Sequence, residues 1–120
     1  MQCVLAVDDS ASIRGLVDYV LGQAGFDVVL AEDGQEALDY ARGNTVDLVL
    51  TDINMPNLDG IGLIKELRAL PSYKYVPLLV LTTESGTDIK MQGKAAGATG
   101  WIVKPFDPGQ LVATIEKVLS

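Results

Sequence analysis

Residues Asp47 to Gly60 read DLVLTDINMPNLDG. Leu48, Val49 and Leu50 form a short apolar run without polar alternation, the pattern of a strand covered on both faces. The run ends at Thr51 and Asp52, so a carboxylate stands where the strand leaves the sheet. Met55-Pro56 enforces an irregular loop, because proline pushes the residue before it out of helical geometry. Asp59-Gly60 then opens a helical pattern. In open α/β sheets ligands gather at the carboxyl ends of the strands, which puts Asp52 in a functional place. Taken alone, an Asp after a strand is more often a turn residue. Its neighbours decide between the two readings.

The same unit, an apolar strand followed by an amphipathic helix, recurs on both sides. Upstream, Cys3 to Val7 is a strand ending in Asp8-Asp9. From Ser10 a helix places Ile13, Leu16, Val17, Val20, Leu21 and Ala24 on one face, and Gly25 supplies a left-handed stop. Val28 to Ala31 is the next strand. Asp33 and Glu36 form a capping box, which gives those acids a structural task. Ala37, Leu38 and Ala41 face inward until Gly43-Asn44 breaks the helix.

Downstream, Ile64, Leu67 and Leu70 point inward, and the helix stops before Pro71-Ser72. Pro77 to Leu81 is a strand ending in Thr82-Thr83-Glu84. Ser85 to Gly97 is only weakly helical, since Gly86 and Gly93 lower its propensity and Thr87 and Asp88 do not raise it. Gly100 to Val103 is a strand followed by Lys104-Pro105. Asp107 caps and Pro108 starts the last helix, whose apolar face is Leu111, Val112, Ile115, Val118 and Leu119.

Five such units alternate without linker or composition shift. This predicts one α/β domain over residues 1–120, with no output domain. Its architecture is a three-layer sandwich, a five-stranded parallel sheet with helices on both faces.

Composition excludes several function classes. The chain has no histidine, which removes His-based zinc sites, Ser-His-Asp hydrolases and carriage of a phosphoryl group on histidine. Net charge is −7, the wrong sign for a face that neutralises nucleic-acid phosphates. No apolar run approaches a membrane span, and the N-terminus lacks the basic start and cleavage site of a signal peptide. Cys3 is the sole cysteine, consistent with a reducing cytoplasm.

The strand ends bring together Asp8 and Asp9, Asp52, Thr82 and Lys104. Three converging carboxylates repel one another, and a divalent cation relieves that repulsion. An all-oxygen site with positions for water suits Mg²⁺ rather than zinc. Lys104 adds a second positive charge for an anionic ligand, and Thr82 adds a directed hydroxyl. These are the parts needed for phosphoryl transfer to Asp. Each also has a plain structural reading: Asp8-Asp9 and Thr82 as helix caps, Lys104 as a solvated cation. Their coincidence at one sheet edge favours the chemical reading.

With its VDDS, TDINMP, LTTES and WIVKPF segments at this spacing, the chain resembles a response-regulator receiver domain along its whole length. Within that family it is most similar to the stand-alone chemotaxis regulators. The resemblance, not the residues, implies the flavodoxin-like strand order 2-1-3-4-5. It further implies that Asp52 is the phosphoacceptor. Asp9 binds Mg²⁺ directly and Asp8 mainly through water, with Asp52 and the backbone carbonyl of Asn54 completing the protein ligands. Thr82, the amide of Thr83 and Lys104 then contact the phosphoryl group, and Lys104-Pro105 is cis. Asn54 and Glu84 stand where the family tunes its dephosphorylation, though Glu84 is equally well read as a first-turn acid at a helix N-terminus.

Trp101 occupies the family's switch-aromatic position, where Thr82 moves toward the phosphoryl group and frees space for the ring. Read structurally, it is a large anchor. Lys90, Met91 and Lys94, with Trp101, offer a mixed apolar and basic face for an acidic partner segment.

The implied function is a cytoplasmic, monomeric phosphoacceptor that is no enzyme toward a separate substrate but assists its own phosphorylation and dephosphorylation. Its partners are a chemotaxis-type sensor histidine kinase, the flagellar motor switch and a phosphatase. The alternative is a phosphate sink or a regulator of a non-motor target. Other uses of the fold fit poorly. Acids replace a phosphate cradle after the first strand, and no GxxxxGK[ST] or GxGxxG follows any strand. Ile53-Asn54 after Asp52 breaks the Asp-x-Asp pair of a dehalogenase-type phosphatase.

Overall fold

A computed structural model describes residues 2–120. Strands β1 (Cys3–Val7), β2 (Asp27–Ala31), β3 (Leu48–Thr51), β4 (Leu78–Thr82) and β5 (Gly100–Val103) alternate with five helices. These are α1 (Ala11–Gln23), α2 (Gly34–Gly43), α3 (Gly60–Arg68), α4 (Thr87–Ala96) and α5 (Pro108–Leu119). A 3₁₀ turn, Pro71–Tyr73, precedes β4. All strand pairs are parallel and the order is β2-β1-β3-β4-β5, the flavodoxin-like arrangement.

Alternation along the central strands divides the core in two. Leu5, Val7, Val49, Leu78 and Val80 face α2, α3 and α4, whose Ala37, Leu38, Ala41, Leu63, Ile64, Leu67 and Ala96 close that side. Val4, Ala6, Leu48, Leu50, Leu79 and Leu81 face α1 and α5 through Val17, Leu21, Leu111 and Ile115. The apolar runs of β1, β3 and β4 are thus buried on both faces, as their lack of polar alternation requires.

Register then fixes the site. Val7 lies opposite Thr51, Thr51 opposite Val80, and Thr82 opposite Val103. The residues leaving these strands emerge at one edge.

Four helices begin on an acceptor side chain. Ser10, Asp33, Asp59 and Asp107 accept the amides of Ile13, Glu36, Gly62 and Gln110 at 3.3, 2.8, 2.7 and 2.9 Å. Such caps satisfy amides that the first helical turn leaves unpaired. Helix α4 alone has a glycine, Gly86, at its N-cap and so no side-chain cap; it is closed by Gly97 in the left-handed region (φ 116°). The segment of low propensity is nevertheless helical. Its Gly93 and Ala96 are buried, so tertiary packing overrides propensity there.

Three local expectations differ from the structure. Leu16 and Ala24, both placed on the inner face of α1, are exposed, Leu16 by 45%: Val17 and Leu21, with Ile13 and Val20 beside them, fill the space above the sheet, and Ala24 lies past the helix end as its cap. Glu36 reaches back to the amide of Glu32 rather than to that of its own cap residue. Edge strands β2 and β5 are only partly covered, with Leu30 and Val103 exposed.

Two residues bind the bottom of the fold. Tyr73, fully buried, donates its hydroxyl to the Asn44 carbonyl and accepts the Val46 amide. Arg68 donates to the carbonyls of Tyr73, Val76 and Gly97 at 2.7, 2.7 and 2.9 Å, tying α3 to the start of β4 and the end of α4. Burial holds its guanidinium pKa below the usual arginine range.

Candidate functional site: an acidic cluster closed by Lys104

The site is built by the segments that leave β1, β3, β4 and β5. Carboxylate oxygens of Asp8, Asp9 and Asp52 lie within 4.8 Å of one another. Asp8 is buried, Asp52 half-buried and Asp9 exposed. Lys104 Nζ donates to Asp8 Oδ2 at 2.7 Å and to Asp52 Oδ2 at 3.0 Å. All three side chains are nearly covered, at 10%, 8% and 12% exposure for Lys104, Asp8 and Asp52. Burial alone lowers the Lys104 pKa, but the hydrogen bonds and charges of Asp8 and Asp52 outweigh it and hold the ammonium above the ordinary lysine range. Charge-assisted pairing is the physical cause. Lys104 was expected to pair with a ligand oxygen. Here it already spans two of the acids.

Local backbone fixes Asp52. Its Oδ1 accepts the amide of Ile53 at 2.7 Å, which turns the carboxylate back over the strand end. Gly60 packs directly behind it: the Gly60 amide donates to the Ile53 carbonyl, and a Cβ at this position would collide with the Asp52 carbonyl. Gly34 makes a similar approach to Leu58, with its amide on the Leu58 carbonyl. The Pro56 loop is thereby pinned on two sides. Asn57 takes a left-handed conformation (φ 68°) within it.

Polar ties close the rim around the acids. Asn57 Nδ2 donates to Asp33 Oδ2 at 2.7 Å, linking the loops after β3 and β2. Together with the Glu36 amide, which contributes most, this bond pulls the Asp33 pKa below the usual carboxylate range. Asn54 Nδ2 donates to Glu84 Oε1 at 3.0 Å, linking the loops after β3 and β4. Sequence reasoning paired these two positions by role, and the structure joins them directly.

Thr82 is fully buried at the end of β4, and its Oγ accepts the Glu84 amide at 3.3 Å. Thr83 is exposed at the start of the next loop. Lys104-Pro105 is cis.

Trp101 is half-buried. Its ring lies over Gly93 of α4, and its Nε1 donates to the Glu84 carbonyl at 2.9 Å. Lys90 and Lys94 line one open groove with Trp101. Met91, 64% exposed, does not line that groove. What sequence reasoning missed is Arg14 on α1, whose Nη1 donates to the Asp8 carbonyl at 2.8 Å. Only its spacing from the Asp pair, one helical turn past the cap, could have signalled it.

The donor set is three carboxylates without imidazole or thiolate, the chemistry of a hard, oxygen-seeking cation such as Mg²⁺. The residues fit that ion.

Comparison with known proteins agrees with this geometry. The model of the family described as "Response regulator receiver domain" matches residues 4–116. A chemotaxis protein CheY homolog of Campylobacter jejuni is 40% identical over 119 residues, covering 98% of this chain and 92% of the relative. The chain also matches longer transcriptional regulators at 40–41% identity, but spans only about half of their length (47% and 49% for two of them). The chemotaxis response regulator CheY4 of Vibrio cholerae shares 47% identity and a TM-score of 0.94, with 98% of each chain covered. The receiver domain of sensor histidine kinase PA1611 from Pseudomonas aeruginosa, with a magnesium ion coordinated in its active site cleft, gives 27% identity and a TM-score of 0.92 over 98% of this chain and 97% of that one. In sequence, fold and strand-end chemistry alike, the chain belongs to the receiver-domain family of two-component response regulators.

Proposed function

We propose that Asp52 accepts a phosphoryl group from a sensor histidine kinase, and that the phosphorylated chain controls chemotaxis by binding the flagellar motor switch. One observation carries the phosphoacceptor reading: Asp52, at a strand end, has Lys104 Nζ at 3.0 Å and two further acids within 4.8 Å. An Asp52 oxygen attacks phosphorus, the new O–P bond forming as the P–N bond to the donor imidazole breaks and the electron pair leaves with that ring. Lys104 stands ready to pair with a phosphoryl oxygen. Thr82, whose Oγ accepts from Glu84, keeps its own O–H to donate to another, and the Thr83 amide serves a third. Asp8, Asp9, Asp52 and the Asn54 carbonyl would hold Mg²⁺, which would supply charge neutralisation at the transferring group. The chain turns over no separate substrate; its own residues assist gain and loss of the phosphoryl group, with Asn54 and Glu84 setting the rate of loss and a phosphatase able to accelerate it.

The chemotaxis assignment draws on near full-length similarity to chemotaxis proteins. Lys90, Met91, Lys94 and Trp101 are the face offered to the motor protein. A second reading, regulation of a non-motor target or service as a phosphate sink, draws on the equal identity to transcriptional regulators. Two experiments test these claims. Titrating Mg²⁺ into wild type and Asp9→Asn should show weaker binding in the variant; equal affinity removes Asp9 from the site. Protein loaded with beryllofluoride and Mg²⁺ should bind a purified motor switch protein more tightly than unloaded protein. Indistinguishable binding of the two forms would leave the second reading.

A further inference from the structure

We infer that Arg14 is a positioning residue for the acidic cluster, holding the peptide plane that aims the Asp9 carboxylate. Every oxygen of Asp8 is engaged. Oδ2 accepts Lys104, Oδ1 accepts the Ser10 amide at 2.9 Å, and the carbonyl accepts Arg14 Nη1 at 2.8 Å. That carbonyl belongs to the Asp8–Asp9 peptide unit, which is planar and rigid. Fixing it fixes the bond about which Asp9, the exposed member of the cluster, is oriented.

Nothing else in α1 reaches this carbonyl with a charge. The Arg14 side chain is only 16% exposed, and its other terminal nitrogen lies 3.7 Å from Glu32, itself 70% exposed. An exposed partner at that distance contributes little. The Asp8 contact, short and charge-assisted, is the significant one. The guanidinium also places a second cation beside the acids. Lys104, just after β5, pairs with the carboxylates of Asp8 and Asp52, whereas Arg14 from α1 holds the main-chain carbonyl of Asp8.

Groups that orient metal ligands from behind typically change metal affinity about ten- to a hundredfold when removed. This inference rests on the Mg²⁺ reading, so its test has one arm that needs no metal. In metal-free protein, hydrogen exchange at the Ser10 amide should be about tenfold faster in Arg14→Met than in wild type, with β4 amides unchanged. In the second arm, Mg²⁺ affinity should fall about tenfold in Arg14→Met and be largely restored in Arg14→Lys, which keeps one charged donor. Glu32→Gln should bind Mg²⁺ as wild type does.

Wild-type exchange at Ser10 together with wild-type Mg²⁺ affinity in Arg14→Met overturns the inference. So does a loss of affinity matched by faster exchange throughout β4, which marks general destabilisation. Should Arg14→Met not fold, Arg14→Lys decides alone, and Ser10 exchange beyond tenfold of wild type in that variant refutes it. If wild type itself does not respond to Mg²⁺, the metal reading falls, and the exchange arm still decides whether Arg14 fixes the turn.

Discussion

The indole Nε1 of Trp101 donates to the backbone carbonyl of Glu84 at 2.9 Å, while the Glu84 amide donates to Thr82 Oγ at 3.3 Å. One residue therefore holds both the buried hydroxyl beside the acids and the ring on β5. Drawing Thr82 toward a ligand on Asp52 must disturb the Glu84 peptide and with it the indole's anchor. Burying more of the ring gains about 25 cal/mol per Å² removed from water, enough to bias two near-degenerate positions. Trp101 is the sole tryptophan, so emission reports it cleanly. Adding beryllofluoride with Mg²⁺ should shift its emission to the blue. Thr82→Ala should abolish the shift without altering Mg²⁺ affinity; an undiminished shift would show that Thr82 and Trp101 are not coupled.

Gly93 is the notch in which that ring rests. A Cβ there would stand 2.6 Å from Trp101 Cζ3. Gly93→Ala should therefore displace the indole and red-shift the emission of the unliganded protein. Alanine favours a helix by up to about 1 kcal/mol over glycine, whereas overpacking costs about 1–3 kcal/mol. Net destabilisation in urea is expected. A variant as stable as wild type, with unchanged emission, would mean that the ring does not depend on this notch.

Lys104 joins stability to pH. Its pKa is raised in the folded state, so its contribution is complete below the unfolded value of about 10.4 and is lost as pH rises through the folded one. Tyr73 acts with the same sign: burial, the largest cause, raises its hydroxyl pKa, so alkali favours unfolding. Cys3, whose thiol pKa is raised mainly by burial, adds a shallow fall from about pH 8.5, so stability should be level from pH 7 to about 8 and fall most steeply above about 10. Lys104→Met should lose roughly 3 kcal/mol in metal-free protein, the cost of leaving covered carboxylates without their cation. Excess Mg²⁺ should recover part of that loss. Denaturation across pH, with and without Mg²⁺, measures both effects.

Tyr73→Phe removes the hydroxyl that serves the Val46 amide and the Asn44 carbonyl. Leaving a buried donor unpaired costs about 1–3 kcal/mol, which equilibrium unfolding should show. Loss of less than about 0.5 kcal/mol would mean that water replaces the phenol.

The strand ends were legible because the signals there are local. An apolar run followed at once by Asp8-Asp9, Asp52, Thr82 or Lys104 states both the strand and what leaves it. Caps such as Asp59 and Asp107, each followed by a helix start, were legible for the same reason. Long-range hydrogen bonds to backbone were not. Arg68 looks like an ordinary basic residue at a helix end, and nothing local says that it spans 29 residues to the Gly97 carbonyl. Gly93 was legible only as a weak helix former. Its contact with Trp101 depends on how α4 lies over β5, which the chain order does not reveal. Leu16 failed differently: helical spacing put it on the apolar face, but Val17 and Leu21, with Ile13 and Val20 packed beside them, fill the interface above the sheet and leave Leu16 outside.

The proposed function requires Asp52 to be the single phosphoacceptor. Acetyl phosphate, with Mg²⁺, should add one phosphoryl group to the wild-type chain, seen as a mass increase of about 80 Da on the intact protein. Asp52→Asn should show none under the same conditions, because the amide replaces the carboxylate nucleophile while the Lys104 and Asp8 contact remains. A full phosphoryl adduct on Asp52→Asn would contradict the assignment on which the proposed function rests.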